Sequence, residues 1–255
     1  MRTRSHGETD TGKVRQRNED ALRCDDDLGL YVVCDGVGGR ASGEVAAAFT
    51  VDAIAEWLAR ELPAIRQLPR GEERHNLLLR ALERAIQNAG YLVHSMGLFV
   101  PEHKGMSTTV SALLVDDDHA VTGQVGDSRI YLARAGDIRQ ITDDHSYIAD
   151  QLRRGAITPE KARASRARNI ITRAVGLKDH VQVDLRHLDL APGDRVLLCS
   201  DGLHEYLDDA HDLADLFALD VAAAAKRAVH LANDRGGKDN ITALFVECLP
   251  DRAAR

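Results

Sequence analysis

Four acidic clusters stand where apolar segments stop: Asn18-Glu19-Asp20, Asp35-Gly36-Val37-Gly38-Gly39, Ser200-Asp201-Gly202 and Asp239-Asn240. Two of them directly follow strongly apolar runs, Leu30-Tyr31-Val32-Val33-Cys34 before Asp35 and Val196-Leu197-Leu198-Cys199 before Ser200-Asp201. Short apolar runs rich in β-branched residues predict buried strands. A carboxylate at the tip of such a strand is held rigidly and is costly to leave unpaired. Gathering several of them from distant parts of the chain requires a fold that brings strand ends together. It also requires a hard cation to offset their repulsion. Oxygen-only ligation suits Mg²⁺ or Mn²⁺ rather than zinc.

The acidic clusters span most of the 255 residues, and no Gly/Pro/Ser-rich linker divides them. We therefore read one domain, residues 1–255, large enough to bury a sizeable core. The net charge of −7 argues against nucleic-acid binding, which needs a basic surface. It also means that an anionic substrate would have to meet a local basic group. The first residues lack the apolar stretch of a secretion signal, and no apolar run is long enough to span a membrane. Cys34 and Cys199 fall within the apolar runs and read as buried, reduced thiols; Cys24 and Cys248 complete no CxxC spacing. Together these features predict a cytoplasmic protein without a membrane partner.

The first 35 residues read as two strands around a solvated turn at Asp25-Asp26-Asp27. Helical periodicity follows over about 42–62, stopped by Pro63, and over about 72–95. Residues 96–105 read as an exposed loop. Strands at 107–115, 120–125 and 129–133, with turns at Asp116-Asp117-Asp118 and Ala135-Gly136-Asp137, predict an antiparallel meander. Residues 143–167 read as a small helical insertion made basic by Arg153, Arg154, Lys161, Arg163, Arg166 and Arg168. Its second helix opens at Thr158-Pro159-Glu160. Strands at 181–190 and 195–199, helices near 203–207, 210–218 and 221–233, a last strand at 241–248 and a frayed tail complete the chain. Strands in two groups, with helices after each, predict an α+β fold with helices packed over sheets.

Several segments resemble a known family. Gly12-Lys13-Val14-Arg15-Gln16-Arg17-Asn18-Glu19-Asp20 is similar to the GxVRxxNED opening of the metal-dependent PPM/PP2C-type serine/threonine protein phosphatases. Asp35 to Glu44 resembles their DGxGGxxxGE segment, and Gly105-Met106-Ser107-Thr108-Thr109 their GxGTT. Gly126-Asp127-Ser128-Arg129, Cys199-Ser200-Asp201-Gly202-Leu203 and Asp239-Asn240-Ile241-Thr242 resemble their GDSR, CSDGL and DNIT. The six occur in the family's order and cover nearly the whole chain.

The resemblance implies a central antiparallel β-sandwich flanked by helix pairs, an α-β-β-α arrangement. It also implies that 143–167, with Asp144-His145-Ser146, is the flap of bacterial members. For the chemistry it implies two Mn²⁺ or Mg²⁺ ions, with a third in bacterial relatives, and in-line attack by metal-activated water without a phosphoenzyme. In that scheme Asp35 bridges the two ions together with the Gly36 carbonyl. Asp201 and Asp239 complete the first ion's ligands; Glu19 and Asp20 hold the second, one directly and one through water. Asp127 shares the third ion with Asp201, and Arg15 clamps the phosphate. Read without the resemblance, a strand-end aspartate serves as a turn or helix cap, and Arg15 as a surface arginine. Gly38 and Gly39 read as a tight turn, and Thr108 and Thr109 as packing beside the site.

Two positions depart from the pattern. Eukaryotic members carry a histidine two residues after the bridging aspartate, often assigned as the general acid; here that residue is Val37. Ala164-Ser165 stands where bacterial relatives usually show His-Pro. His145 is a candidate proton donor in place of the missing histidine, though a residue before a helix more often belongs to its cap.

The implied activity is hydrolysis of phosphoserine and phosphothreonine in proteins, with a bacterial Ser/Thr kinase and its substrates as partners and the chain acting as a monomer. A pseudophosphatase serving as a phosphoprotein-binding or scaffolding module is the alternative, and the intact acidic set speaks against it. A metal-dependent nuclease is disfavoured by the acidic charge and the lack of interleaved aromatic and basic residues.

Overall fold

The computed structural model describes residues 1–37, 42–163, 165, 167, 170–207 and 211–251, the side chain of Arg163 excepted. Gly38, Gly39, Ala164, Arg166, Arg168, Ala210 and the last four residues, about which the sequence raised expectations, lie outside that set. Three strands open the chain, β1 (Arg2–Asp10), β2 (Asp20–Asp25) and β3 (Leu30–Val37), followed by the long helices α1 (Gly43–Arg66) and α2 (Glu72–Phe99). Then come β4 (Ser107–Thr108), β5 (Val110–Asp116), β6 (His119–Val125), β7 (Arg129–Arg134) and β8 (Asp137–Gln140). Two short helices follow, α3 (Tyr147–Arg153) and α4 (Pro159–Arg163). The remainder is β9 (Asp184–Asp189), β10 (Arg195–Cys199), α5 (Asp201–His204), α6 (His211–Ala218), α7 (Val221–Asp234) and β11 (Ile241–Leu249).

The strands form two antiparallel sheets, one in the order β1-β11-β10-β7-β8 and the other β2-β3-β5-β6-β9, with β4 paired to β3. Successive side chains of a strand point to opposite faces, which explains the apolar runs around the acidic clusters. Leu30, Val32 and Cys34 of β3 pack with α1 and α2, while Tyr31 and Val33 join the core between the sheets. In β10, Leu197 and Cys199 face α5–α7, whereas Val196 and Leu198 face the other sheet. Both central strands are buried on both sides, so their sequences are continuously apolar and end abruptly at a polar edge. This is the expected α+β architecture of a two-sheet sandwich with outer helices.

Four expectations need correction. The first 35 residues form three strands, not two. β1 is a polar edge strand paired with β11 alone, so it lacks the apolar alternation that marks a half-buried strand. α1 runs through Pro63 to Arg66. The proline's lost hydrogen bond is offset by burial of Leu62 and Ile65 and by Arg66, which reaches Asp116 and the carbonyls of Leu28 and Val115. α2 continues to Phe99, and Pro101–His103 add a short 3₁₀ turn where a plain loop was expected.

The fourth correction matters most for the site. The expected meander does not exist. β5 and β6 pair in one sheet, but β7 belongs to the other, beside β10 and the unanticipated β8. Gly126-Asp127-Ser128 is therefore a crossing between sheets rather than a hairpin turn. Among the described residues no helix is long and apolar enough to cross a membrane.

Candidate metal centre

Strand geometry brings the acidic clusters to one edge of the sandwich. Asp20 and Asp35 face each other across β2 and β3. Asp201 follows β10 as the first residue of α5, and Asp239 lies just before β11, the neighbour of β10. A cleft of about 250 Å³ is lined by Arg15, Glu19, Asp35, Gly36, Val37, Thr109, Asp127, Ile171, Asp201, Asp239 and Asn240. Every residue the resemblance assigns to the metals or the phosphate is on its wall except Asp20, which is paired with Asp35 across β2 and β3. A larger groove, about 620 Å³ and lined by residues of β2 and α1 with Asp25 and Asp27, lies apart from these strand ends.

Gly36 answers to backbone crowding. A Cβ there would sit 2.3 Å from the Gly43 carbonyl oxygen and 2.5 Å from that of Glu19. The Gly36 N–H also donates to the Glu19 carbonyl at 3.1 Å, drawing the two acidic segments together. Only a residue without a side chain allows that approach.

A layer of neutral polar residues grips the carboxylates. The Asp35 N–H donates to Thr109 Oγ1, and the Thr108 hydroxyl donates to the Asp35 carbonyl, both at 2.9 Å. Thr109 Oγ1 lies 2.8 Å from Ser128 Oγ. Ser200 Oγ and Thr242 Oγ1 both donate to Asp20 Oδ2, at 2.8 and 2.6 Å. Asn240 accepts from the Glu19 N–H and donates to the carbonyls of Thr11 and Arg17, stitching the loop before β2 to the start of β11. The two threonines thus pack beside the site as expected and also fix Asp35. The parts of Ser200, Asn240 and Thr242 were missed, although each shares a motif with a carboxylate.

The charges in the cleft are poorly balanced. Burial raises the Asp35 carboxyl well above the usual range, and repulsion from Asp20, Asp201, Asp127 and Asp239 adds to it. Burial also lifts Asp201 well above that range, with Asp127 and Asp239 adding repulsion. Asp20 and Asp127 are each pushed up to about 6, again mainly by burial. Burial, then Glu44, raises Glu19. Among the described residues Arg15 is the only cation on the wall; its Nη2 donates to Asp239 Oδ2 at 2.6 Å, and its charge acts more weakly on Glu19 and Asp35. Asp20 Oδ1 is buried without a hydrogen-bond partner among the described residues.

An all-oxygen donor set, mutual repulsion and an orphaned buried oxygen fit an oxygen-ligating divalent cation. The side chains ring the cleft rather than converge: among the described residues no three His, Cys, Asp or Glu form a closed cage.

His145 does not act from the wall of this cleft. It is 1% exposed, with Nε2 3.0 Å from Asp184 Oδ2 and Nδ1 accepting from the Gly126 N–H at 3.1 Å. Burial lowers its proton affinity, and burial drives His204 down to about 3. Asp144 of the same segment is engaged by the Arg129 guanidinium, and Ser146 caps α3. Val37 is 38% exposed at the mouth and offers no proton.

The Protein phosphatase 2C family profile matches residues 10–233. Protein phosphatase PhpP of Streptococcus pneumoniae is 33% identical over 244 residues, covering 93% of this chain and 94% of that protein. The crystal structure of the Mycobacterium tuberculosis serine/threonine phosphatase PstP/Ppp superposes with a TM-score of 0.87 at 32% identity, over 98% of this chain and 100% of that one. The catalytic domain of serine threonine protein phosphatase PstP in complex with two manganese ions superposes with a TM-score of 0.84 at 32% identity, over 98% and 99% of the two chains. Acidic strand ends gathered on a two-sheet sandwich, and likeness along nearly the whole length, lead to one conclusion: this chain belongs to the protein phosphatase 2C family.

Proposed function

We propose that this chain hydrolyses phosphoserine and phosphothreonine in proteins with the help of two Mn²⁺ or Mg²⁺ ions. The observation that carries this reading is the set of buried, mutually repelling carboxylates in one cleft beside Arg15. Asp35, the Gly36 carbonyl, Asp201 and Asp239 would hold one ion, Asp35 with Glu19 and Asp20 the other, and Asp127 with Asp201 a third. Bound there, such ions stabilise charge on the phosphoryl oxygens and generate a nucleophile from water.

The protein's own groups orient that chemistry. Thr108 and Thr109 fix the backbone of Asp35. Ser200 and Thr242 hold one oxygen of Asp20 and leave the other directed elsewhere. Arg15 is half exposed at the mouth, where its guanidinium can meet a phosphate with paired N–H donors. Its bond to Asp239 keeps it at that place while Asp239 serves the centre. Val37 cannot protonate the departing serine or threonine oxygen, so we assign that proton to the side of the cleft where Asp127 lies.

In this reading residues 1–255 act as one monomeric cytoplasmic unit whose flap, about 143–167, helps to choose the peptide. Its substrates are phosphorylated proteins, among them a Ser/Thr kinase and that kinase's targets. Phosphate release from phosphoserine and phosphothreonine peptides, with Mn²⁺ and then with excess EDTA, tests the activity. Release that depends on the metal is expected. Tight binding of the same peptides without release would instead identify a phosphoprotein-binding module.

A further inference from the structure

The crossing between the two sheets carries Asp127 into the cleft, and its backbone is held by two histidines that do not line that cleft. Gly126 has a φ of +102°, and a Cβ there would lie 2.5 Å from Thr109 Cγ2, so the crossing is both left-handed and tightly packed. Its N–H donates to His145 Nδ1 at 3.1 Å, and the His145 N–H donates back to the Gly126 carbonyl at 2.9 Å. The next carbonyl, that of Asp127, accepts from His204 Nε2 at 3.0 Å. Gln124 adds bonds to the carbonyls of Gly126 and Ser128.

These partners determine where each proton sits. His145 Nδ1 accepts, so its Nε2 carries the proton and donates to Asp184 Oδ2 at 3.0 Å. Asp184 is itself held by Arg173 at 2.5 Å. His204 faces a carbonyl, so its proton is also on Nε2. The base of the flap closes on the same histidine. The Thr172 N–H donates to the His145 carbonyl at 2.8 Å, beside Ile171 on the cleft wall.

We propose that His145 and His204 are positioning residues that aim Asp127 into the cleft through the backbone of Gly126 and Asp127, with His145 joining that aim to the base of the flap. The proposal rests on Asp127 serving the metal centre. Asp127 is buried, 8% exposed, so the path of its backbone decides where the carboxylate points. Neither imidazole donates or accepts a proton in the reaction; each acts by holding a peptide group that would otherwise be buried and unpaired.

Two substitutions separate this role from general packing. His145→Asn places an oxygen near the position of Nδ1 and can still accept from the Gly126 N–H. His145→Gln places its amide near Nε2, keeping a donor for Asp184 but abandoning Gly126. In chelator-treated protein, hydrogen exchange of the Gly126 amide should remain slow in wild type and His145→Asn. In His145→Gln it should accelerate about tenfold or more, with comparable melting temperatures for the two variants. Phosphopeptide turnover with Mn²⁺ should fall about 10- to 100-fold in His145→Gln, as in Asp127→Ala, and the double variant should lose no more than Asp127→Ala alone.

If Asp127→Ala keeps full turnover and its weak ion site, the assignment of Asp127 to the centre fails. If Asp127→Ala is impaired while His145→Asn and His145→Gln behave alike in exchange and turnover, the positioning role fails. Nitrogen chemical shifts of the wild-type imidazoles test it without any variant: Nε2–H on both residues is required, and a proton on Nδ1 of His145 overturns the proposal.

Discussion

Both ends of the sandwich gather aspartates, and the two ends treat them differently. Away from the cleft, the turn between β5 and β6 presents Asp116 and Asp117. Asp116 meets Arg74 at 2.6 Å and Arg66 at 3.1 Å, and Asp117 meets Arg70 at 2.7 Å. The pair is deep, with side-chain exposures of 9% for Arg74 and 6% for Asp116, and it ties the end of α1 and the start of α2 to the sheet. At the other end Asp35, Asp201, Asp127 and Asp20 repel one another, and Arg15 on the cleft wall is engaged with Asp239. Buried carboxylates matched by arginine are a structural joint. Buried carboxylates left to repel are costly to folding and persist where a cation repays them.

This contrast can be broken most visibly by removing one acid from each end. Asp35→Ala or Asp239→Ala should lower kcat by on the order of 10³ or more, while thermal stability in EDTA holds or rises because repulsion is relieved. Asp116→Ala should do the reverse. Stripping the buried Arg74 and the partly buried Arg66 of their shared partner should cost about 3–5 kcal/mol of stability by denaturant unfolding, with kcat per folded molecule unchanged.

The pH dependence of stability sharpens the comparison. Asp127 binds its proton more tightly folded than unfolded, being raised from 3.8 to about 6. Between those values the folded state carries the extra proton, so stability in EDTA should fall as pH rises through that window. For Asp127 alone the loss is on the order of 3 kcal/mol, and Asp127→Ala should flatten the profile measured by urea unfolding. Added Mn²⁺ should restore most stability at neutral pH, where the carboxylates are ionised.

Arg15→Ala should have the smallest effect. A charge-assisted contact with phosphate contributes roughly 1.5–3 kcal/mol, so kcat/KM should fall about 10- to 200-fold. Affinity for Mn²⁺ should hold or rise, because Asp239 loses a competitor for its oxygen. Loss of metal binding in this variant would assign Arg15 a structural role.

The cleft was legible in the sequence because its main carboxylates directly follow continuously apolar strands, and doubly buried strands leave that signature. Asp127 was also singled out, but its setting was misread. Gly-Asp-Ser suits a hairpin turn, and nothing local distinguishes a turn within one sheet from a crossing between two. β1 was missed as a separate strand because an edge strand needs few apolar residues. Pro63 looked like a stop because the interactions that carry α1 past it, above all those of Arg66, are made with residues far away in the chain. Ser200, Thr242 and Asn240 act on Asp20 and the Glu19 N–H across separations of 180 to 222 residues, which single-sequence periodicity cannot reveal.

Calorimetric titration of Mn²⁺ into chelator-stripped protein, with phosphopeptide turnover followed at each addition, tests the central claim most directly. Turnover should be absent at first and rise as two ions bind. That response should be lost in Asp35→Ala and preserved in Asp116→Ala. Full turnover in excess EDTA, or undiminished two-ion binding in Asp35→Ala, would contradict the account.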